Sequence, residues 1–371
     1  MVAEAMVLTA PRRFERRRFE LPEIGAGDGL LRVEACGLCG TDHEQYTGHI
    51  NSPHAFVPGH EVIGTLEAVG EQAADRWGVE AGQRVAVEVF QSCRECAACR
   101  AGAYRRCERN GLVTMVGFAD ADRPPGIRGG YATHLYLGPD SMLLPVPGAL
   151  DPVIATLFNP LGAGIRWGVE LPQTQPGDVV AILGPGVRGL CTAAAVTEAG
   201  AGFVMMTGWG ERDVERLQIA GRFGVDLTVD VSEHDPARAL RGAIGRQADV
   251  VIDVTAKAPA AFGQAVRLAR PGGTIVVAGT RGVPDTPGFH PDHIVYKELR
   301  ILGALGVDVA AYRAALDLLA AGRYPFEELP RQIAGFEQIE SLIRLMAGER
   351  DGIPPVHGVF VPSPVAREER S

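Results

Sequence analysis

Chemistry in this chain concentrates in a few short runs of cysteine, histidine, acid and glycine. Cys93, Cys96, Cys99 and Cys107 fall within fifteen residues in the order C-x2-C-x2-C-x7-C. That spacing lets one loop wrap four thiolates around a tetrahedral zinc ion, which is soft enough to favour sulfur over oxygen. The residues between them, such as Arg94, Glu95, Ala97, Ala98 and Arg100, are polar or small and build no core. Four protein thiolates leave no position for water or substrate, so such an ion is structural and pins a lobe. Disulfides are not expected: the cysteines number seven, and residues 1–20 lack a hydrophobic signal core.

A second constellation pairs Cys36-Gly37-Leu38-Cys39-Gly40-Thr41-Asp42 with Pro58-Gly59-His60-Glu61. A thiolate and an imidazole about twenty residues apart, on loops flanking strands, make a mixed sulfur and nitrogen zinc site. With fewer than four protein ligands, it keeps a position for substrate.

The third run is Gly184-Pro185-Gly186-Val187-Arg188-Gly189, which follows a strand-like stretch and opens a helix-forming one, Leu190–Ala199. In that context the G-x-G-x-x-G pattern brings backbone N–H groups and a helix N-terminus to a pyrophosphate. The next strand ends at Thr207-Gly208, where an acid usually meets the adenosine ribose, and no Asp stands there. Glu211 suits ribose hydroxyls, as NAD needs, whereas Arg212 with Thr207 suits a 2′-phosphate, as NADP needs. The same residues also suit a plain helix start, so the choice between NAD and NADP stays open.

The elements that must carry these runs change character near residue 155. Before it, short β-rich segments alternate with Gly/Pro turns: Leu30–Ala35, Glu61–Val69, Arg84–Val89, Gly130–Leu137 and Ser141–Val146. They read as a small antiparallel, barrel-like unit. From residue 178 the rhythm is strand, helix, strand, with buried-strand runs at Asp178–Leu183, Phe203–Thr207, Leu227–Val231, Asp249–Val254, Thr274–Ala278 and Arg300–Ala304. Helical segments such as Arg212–Phe223 and Pro259–Ala269 lie between them. The fold class is α/β, with a doubly wound, six-stranded parallel sheet covered on both faces.

With 371 residues, 46% hydrophobic and 22% charged, the chain is long enough for two or more domains. No run of about twenty apolar residues escapes Arg, Glu or repeated Gly/Pro, which reads as soluble and cytoplasmic. A net charge of −9 makes nucleic acid and anionic membrane poor partners. The basic cluster of Arg12, Arg13, Arg16, Arg17 and Arg18, interrupted by Phe14 and Glu15, reads as a solvated strand face rather than an anion site.

The order of the motifs resembles the zinc-dependent medium-chain dehydrogenase/reductase family, the alcohol and polyol dehydrogenases, over nearly the whole chain. The carriers are GLCGTD (37–42), PGHE (58–61), the four-cysteine lobe (93–107), GGYATHL (129–135), GPGVRG (184–189) and RPGGTIVVAG (270–279). The resemblance implies a GroES-like β-barrel catalytic domain over 1–158 and a Rossmann NAD(P)-binding domain over 159–296. Residues 297–371 would complete the sheet and return to the catalytic domain. It implies two zinc ions per subunit, NAD or NADP, an active site in the cleft, and a homodimer or homotetramer assembled largely through the cofactor domain.

By matched position, Cys39 and His60 would be catalytic-zinc ligands, and Asp42 the carboxylate that orients the His60 imidazole. Thr41 would be the hydroxyl bonded to the alcohol oxygen. Where the family's proton relay often ends in histidine, this chain has Glu44, with His43 just before it; Glu44 would take the proton, hold a polar substrate, or be a solvated loop acid. Asn159 departs further, standing where relatives supply a Cys, Glu or Asp ligand, and an amide is a weak zinc ligand. The polyol-type branch uses the Glu after the His, a role Glu61 matches. The expected set is therefore Cys39, His60, Glu61 and water, with Asn159 outside it or bonded to substrate; the rival is a loosely held or absent ion.

Zinc as Lewis acid and nicotinamide as hydride acceptor would then interconvert an alcohol and its carbonyl. A pocket lined by Glu44, Tyr46, Glu88–Gln91 and Asn159 tilts towards a substrate with more than one hydroxyl. Two alternatives stand beside this: a zinc-independent reductase of the same superfamily acting on activated double bonds, and a non-catalytic zinc-binding scaffold. The zinc-ligand set argues against the first and the phosphate-binding glycines against the second.

Overall fold

The computed structural model describes residues 2–50, 52–280, 282, 286 and 289–362. In chain order its strands are β1 (Val2–Ala10), β2 (Arg13–Glu20), β3 (Gly29–Leu38), β4 (Glu61–Val69), β5 (Arg84–Val87), β6 (His134–Leu137), β7 (Leu143–Pro145), β8 (Val179–Leu183), β9 (Phe203–Gly208), β10 (Leu227–Asp230), β11 (Ala248–Asp253), β12 (Ala269–Val277), β13 (Arg300–Gly303), β14 (Arg331–Ala334) and β15 (His357–Phe360). The chain forms two compact units, Met1–Phe158 with Leu319–Ala321 and Glu327–Ser371, and Asn159–Leu318 with Gly322–Phe326.

The first unit is built on β3, which pairs antiparallel with β4, β6 and β15. Alternate β3 residues Leu31 and Val33, with Cys36 and Leu38 further on, are buried together with Val62, Leu66, Leu135, Leu137 and Phe360. That core explains why these β-rich runs become strands: each buries one face of a pleated surface. The register slips between Leu30 and Leu31 and again between Val33 and Ala35. Opposite the second slip, a Cβ on Gly64 would overlap the Arg32 carbonyl, so only glycine lets the two strands come this close.

β1 and β2 form an antiparallel hairpin. Arg16 and Arg18 pair with Glu4, and Arg17 with Glu15 and Asp122. The basic run is thus a solvated strand face whose charges are paired with acids of the hairpin and of neighbouring segments.

In the second unit all six strands run parallel, in the order β10-β9-β8-β11-β12-β13. Helices Val187–Glu198, Gly210–Ala220, Pro236–Ile244 and Ala261–Leu268 connect successive strands. β8 is buried at every position, as a strand covered on both faces must be. Strand order reverses beside β8, with β9 on one flank and β11 on the other, and ligands bind outside the carboxyl ends at such a switch point.

One buried histidine ties the end of the chain into the first unit. Arg331 Nε donates to His357 Nδ1 at 2.9 Å, which leaves the ring proton on Nε2, 3.0 Å from Thr156 Oγ1. Burial, and secondarily the Arg331 charge, lowers the His357 pKa to about 3. An unfolded histidine titrates near pH 6.5. Below that pH the unfolded chain takes a proton that the native chain refuses, so stability falls as acid is added, by roughly 1.4 kcal/mol per pH unit. Urea unfolding of wild type and His357→Gln between pH 7 and pH 5 checks this. The variant is expected to be less stable at pH 7 and to lose less on acidification; equal losses in the two proteins would contradict the assignment.

Candidate metal and dinucleotide sites

In the cysteine lobe, the four sulfurs of Cys93, Cys96, Cys99 and Cys107 lie within 4.8 Å of one another, and all four are free thiols. Cys96 caps the short helix Ala97–Arg100 and accepts from Cys99 N through sulfur. Cys93 Sγ likewise accepts from Cys96 N, and Cys107 Sγ from Asn110 N and Nδ2. Cys93 and Cys99 stand 3.7 Å apart, sulfur to sulfur. A zinc ion with four thiolates at about 2.3 Å spaces them roughly 3.8 Å apart, so the cage fits zinc. Burial raises the Cys107 thiol, but backbone N–H donors, led by Asn110, outweigh it and hold the pKa at about 6. Backbone donors from Glu108 and Cys99 lower Cys96 as well. Burial pushes the Cys99 thiol the other way, up to about 11, so thiolate is favoured at Cys96 and Cys107, and a cation among the four sulfurs would draw the remaining protons off.

The second cluster arises where β3 meets β4. Gly37 pairs with Glu61 at the end of the ladder, so Cys39 and His60 emerge side by side. Cys39 is the N-cap of helix Gly40–Thr47, and its Sγ lies 3.3 Å from His60 Nε2. Zinc bound to a thiolate and an imidazole holds the two atoms roughly 3.5 Å apart, close to this separation. Gly59 takes φ of +91°, and a Cβ there would collide with Tyr131 and Cys36, which fixes the approach of His60.

Asp42 completes the group whose donor atoms all lie within 4.8 Å. Its Oδ2 accepts from Cys39 N at 2.7 Å, so it holds the thiol's own turn. Among the described residues, Asp42 Oδ1 and His60 Nδ1 are buried polar atoms with no hydrogen-bond partner. The Asp42 oxygen, orphaned near the thiol and Nε2, fits a site completed by a bound cation; Nδ1, on the other side of the ring, would not be answered by that ion. Glu61 is 2% exposed, and its carboxylate lies across Gly37, outside the three converging donors.

Thr41 and Glu44 are half-buried on the same short helix. His43 turns away: its Nε2 is 2.8 Å from Glu349 Oε1, and Arg12 grips both oxygens of that acid. The Arg12 bonds, ahead of those from His43, hold Glu349 at about 2. Tyr46 OH donates to Glu340 at 2.7 Å, tying the helix to Ile339–Met346. Tyr46 and Glu88, expected to line a pocket, are only 2% and 1% exposed, and Glu88 accepts from Tyr104 OH and Phe90 N. These two side chains brace the fold. Glu340 and Glu349, the partners of Tyr46 and His43, are distant in sequence, so no local pattern announced them.

In the second unit, Asn159 is buried and its Nδ2 donates to Tyr312 OH at 2.8 Å. The glycine run behaves as its motif requires. Gly184 has φ of +104°, and a Cβ on Gly189 would overlap the Gly184 carbonyl. Gly186 caps helix Val187–Glu198, and a Cβ there would meet nothing within 4 Å, so the space beside it fits a phosphate. Val187 opens that helix, while the Arg188 guanidinium lies 5.3 Å over the Trp167 ring, inside its own unit. Thr207 is buried and its carbonyl accepts from Gly184 N, supporting the loop.

Glu211 and Arg212 are exposed in the first turn of helix Gly210–Ala220. Sequence reasoning passed over two acids nearby. Asp213 Oδ2 accepts from Trp209 N, and Asp230 Oδ1 accepts from Gly210 N, each at 2.9 Å. An acid at a strand end two residues before a serine, as in Asp230-Val231-Ser232, is a turn signal that could have singled out the second.

Residues 25–148 match the alcohol dehydrogenase GroES-like domain family and residues 188–321 the zinc-binding dehydrogenase family. The chain is 65% identical over 362 residues to a protein of Mycobacterium tuberculosis (strain CDC 1551 / Oshkosh) assigned as a probable alcohol dehydrogenase, covering 97% of this chain and 99% of that one. It is 28% identical over 343 residues to sorbitol dehydrogenase of Bacillus subtilis (strain 168), covering 91% of each. A protein from Sinorhizobium meliloti 1021 assigned as a zinc-binding dehydrogenase and solved with NADP matches with a TM-score of 0.83 at 28% identity, over 98% of this chain and all of that one. With a GroES-like unit, a Rossmann-type six-stranded sheet and two zinc-type donor clusters, this chain belongs to the zinc-dependent medium-chain alcohol dehydrogenase family, whose members are NAD(P)-dependent oxidoreductases.

Proposed function

We propose that the chain interconverts a secondary alcohol or polyol and its carbonyl compound, at a zinc ion held by Cys39, His60 and Glu61, with water in the fourth position. The observation that carries this is the 3.3 Å approach of Cys39 Sγ to His60 Nε2 beside a buried, partnerless Asp42 oxygen. When bound, zinc supplies Lewis acidity to the alcohol oxygen and the nicotinamide supplies the hydride acceptor. Thr41 donates a hydrogen bond to the alcohol oxygen and passes on its proton, and Glu44, half-buried one helical turn later, takes that proton towards solvent. His43 is committed to Glu349, which supports Glu44 in this role. Asp42 keeps Cys39 in place through its backbone N–H.

The four-cysteine lobe holds the second, structural ion. Gly184, Gly186, Val187, Arg188 and Gly189 form the phosphate-binding turn, with Thr207, Glu211 and Arg212 at the adenosine end. We divide the chain into a catalytic domain (1–158), a cofactor domain (159–296) and a returning segment (297–371). A homodimer or homotetramer assembled through the cofactor domain is supported by the edge position of β13 and by Val295, Tyr296 and Leu305, which are 72%, 78% and 50% exposed beside it. Among the described residues no helix is long and apolar enough to cross a membrane, and we propose a cytoplasmic enzyme.

Glu44 tilts the substrate towards more than one hydroxyl, and the likeness to sorbitol dehydrogenase of Bacillus subtilis supports the same class. In a panel assay, kcat/KM is expected to be higher for diols and sugar alcohols than for simple monohydric alcohols; the reverse order would contradict the polyol reading.

Cys39→Ser and His60→Ala are each expected to lower turnover at least about a thousandfold while nucleotide binding, read by calorimetry, survives. Wild-type turnover in either variant would contradict the zinc assignment. Cys107→Ser should instead lower Tm and release one zinc per chain, since a structural ion contributes folding free energy. An unchanged Tm and metal content would refute that role.

A further inference from the structure

The adenosine end of the dinucleotide site lacks the usual acid after its second strand, and packing explains why. A Cβ on Gly208 would lie 2.9 Å from Leu217 Cδ1 and 3.0 Å from Asp213 Cβ, so helix Gly210–Ala220 leaves no room for a side chain at that position. Directly across the ladder, Asp230 pairs with Gly208 at the carboxyl end of β10. Its Oδ1 is saturated by Gly210 N at 2.9 Å, Ser232 N at 2.8 Å and Ser232 Oγ at 2.6 Å. Oδ2 takes part in none of these bonds, and the residue is half-buried at the sheet edge.

We infer that Asp230, on the third strand, replaces the missing acid of the second strand and selects NAD over NADP by accepting from the ribose 2′-hydroxyl and repelling a 2′-phosphate. This rests on the dehydrogenase reading above.

Three further observations point the same way. The two loop N–H groups nearest Gly208 are already occupied by carboxylates, Trp209 N by Asp213 and Gly210 N by Asp230, so neither is open to a phosphate. The loop carries three acids, Glu211, Asp213 and Asp230, against Arg212 and an Arg216 that is itself paired with Asp213, and His234 lies near enough to act on Asp230. The Ser232 and Gly210 bonds hold the Asp230 carboxyl below its ordinary range, so it stays ionised at neutral pH. A 2′-phosphate of charge near −2 therefore meets a fixed negative oxygen, whereas a ribose hydroxyl meets an acceptor.

Calorimetric titration of the full-length protein with NAD and with NADP tests this. Wild type is expected to bind NAD at least about tenfold more tightly than NADP. Asp230→Asn keeps an oxygen for the three loop donors and turns the second oxygen into an N–H donor, so the NADP-to-NAD ratio of dissociation constants should fall at least about tenfold. Arg212→Ala should move both dissociation constants together, leaving their ratio within about twofold of wild type. NADP binding as tightly as NAD, or a loss of NADP binding alone in Arg212→Ala, would overturn the inference in favour of the arginine. A wild-type NAD preference that Asp230→Asn leaves unchanged would overturn the role of Asp230. Binding of neither nucleotide would sink the dehydrogenase reading itself.

Discussion

The pairing of Gly37 with Glu61 is the constraint on which the catalytic unit depends. Antiparallel strands bring residues far apart in sequence to one end of a ladder, and here the residues just past that end are the thiol of Cys39 and the imidazole of His60. A slip of one residue would turn both strands inside out and separate the two donors. Leu31, Val33, Leu38, Val62 and Leu66, buried in one core, resist that slip, and Gly64 and Gly59 allow the backbone to close around it. Precision at the site is thus supplied by hydrophobic packing several residues away.

Backbone N–H groups then do similar electrostatic work at three places. In the cysteine lobe they donate to sulfur and favour thiolate. At Asp42 the N–H of Cys39 is the donor, fixing the turn that carries the thiol. At Gly186 the start of a twelve-residue helix has open space where a phosphate fits. Each anchor is set by main-chain geometry, so side chains around it are released for specificity. The short helix Gly40–Thr47 shows the division: one face holds Asp42 at the donor cluster, while His43 and Tyr46 are spent on Glu349 and Glu340.

Much of this was legible along the chain. The six runs of the second unit read as strands because a parallel sheet covered on both faces needs mostly apolar strands, and β8 to β13 follow them to within about five residues. Cysteine spacing announced the lobe because its ligands come from one loop. What stayed hidden depended on register or long range. Glu349 reaches His43 across 306 residues, and Tyr46 finds Glu340 across 294, so no window contains both partners. Asp230 was overlooked because its importance comes from standing opposite Gly208 in a neighbouring strand. The capping box at Cys39 also went unread, since it needs no more than a carboxylate three residues past the N-cap, and Asp42 Oδ2 accepts from the Cys39 N–H in that way.

Under the proposed function two zinc ions with different donors serve one chain, one caged by four sulfurs and one held by a mixed set that leaves room for substrate. Elemental analysis combined with X-ray absorption at the zinc edge, on protein purified without added metal, tests it most directly. The expected result is two zinc ions per chain, with an averaged shell of sulfur mixed with nitrogen and oxygen. One zinc per chain with a pure sulfur shell would contradict the claim and leave Cys39, His60 and Glu61 without an ion to hold.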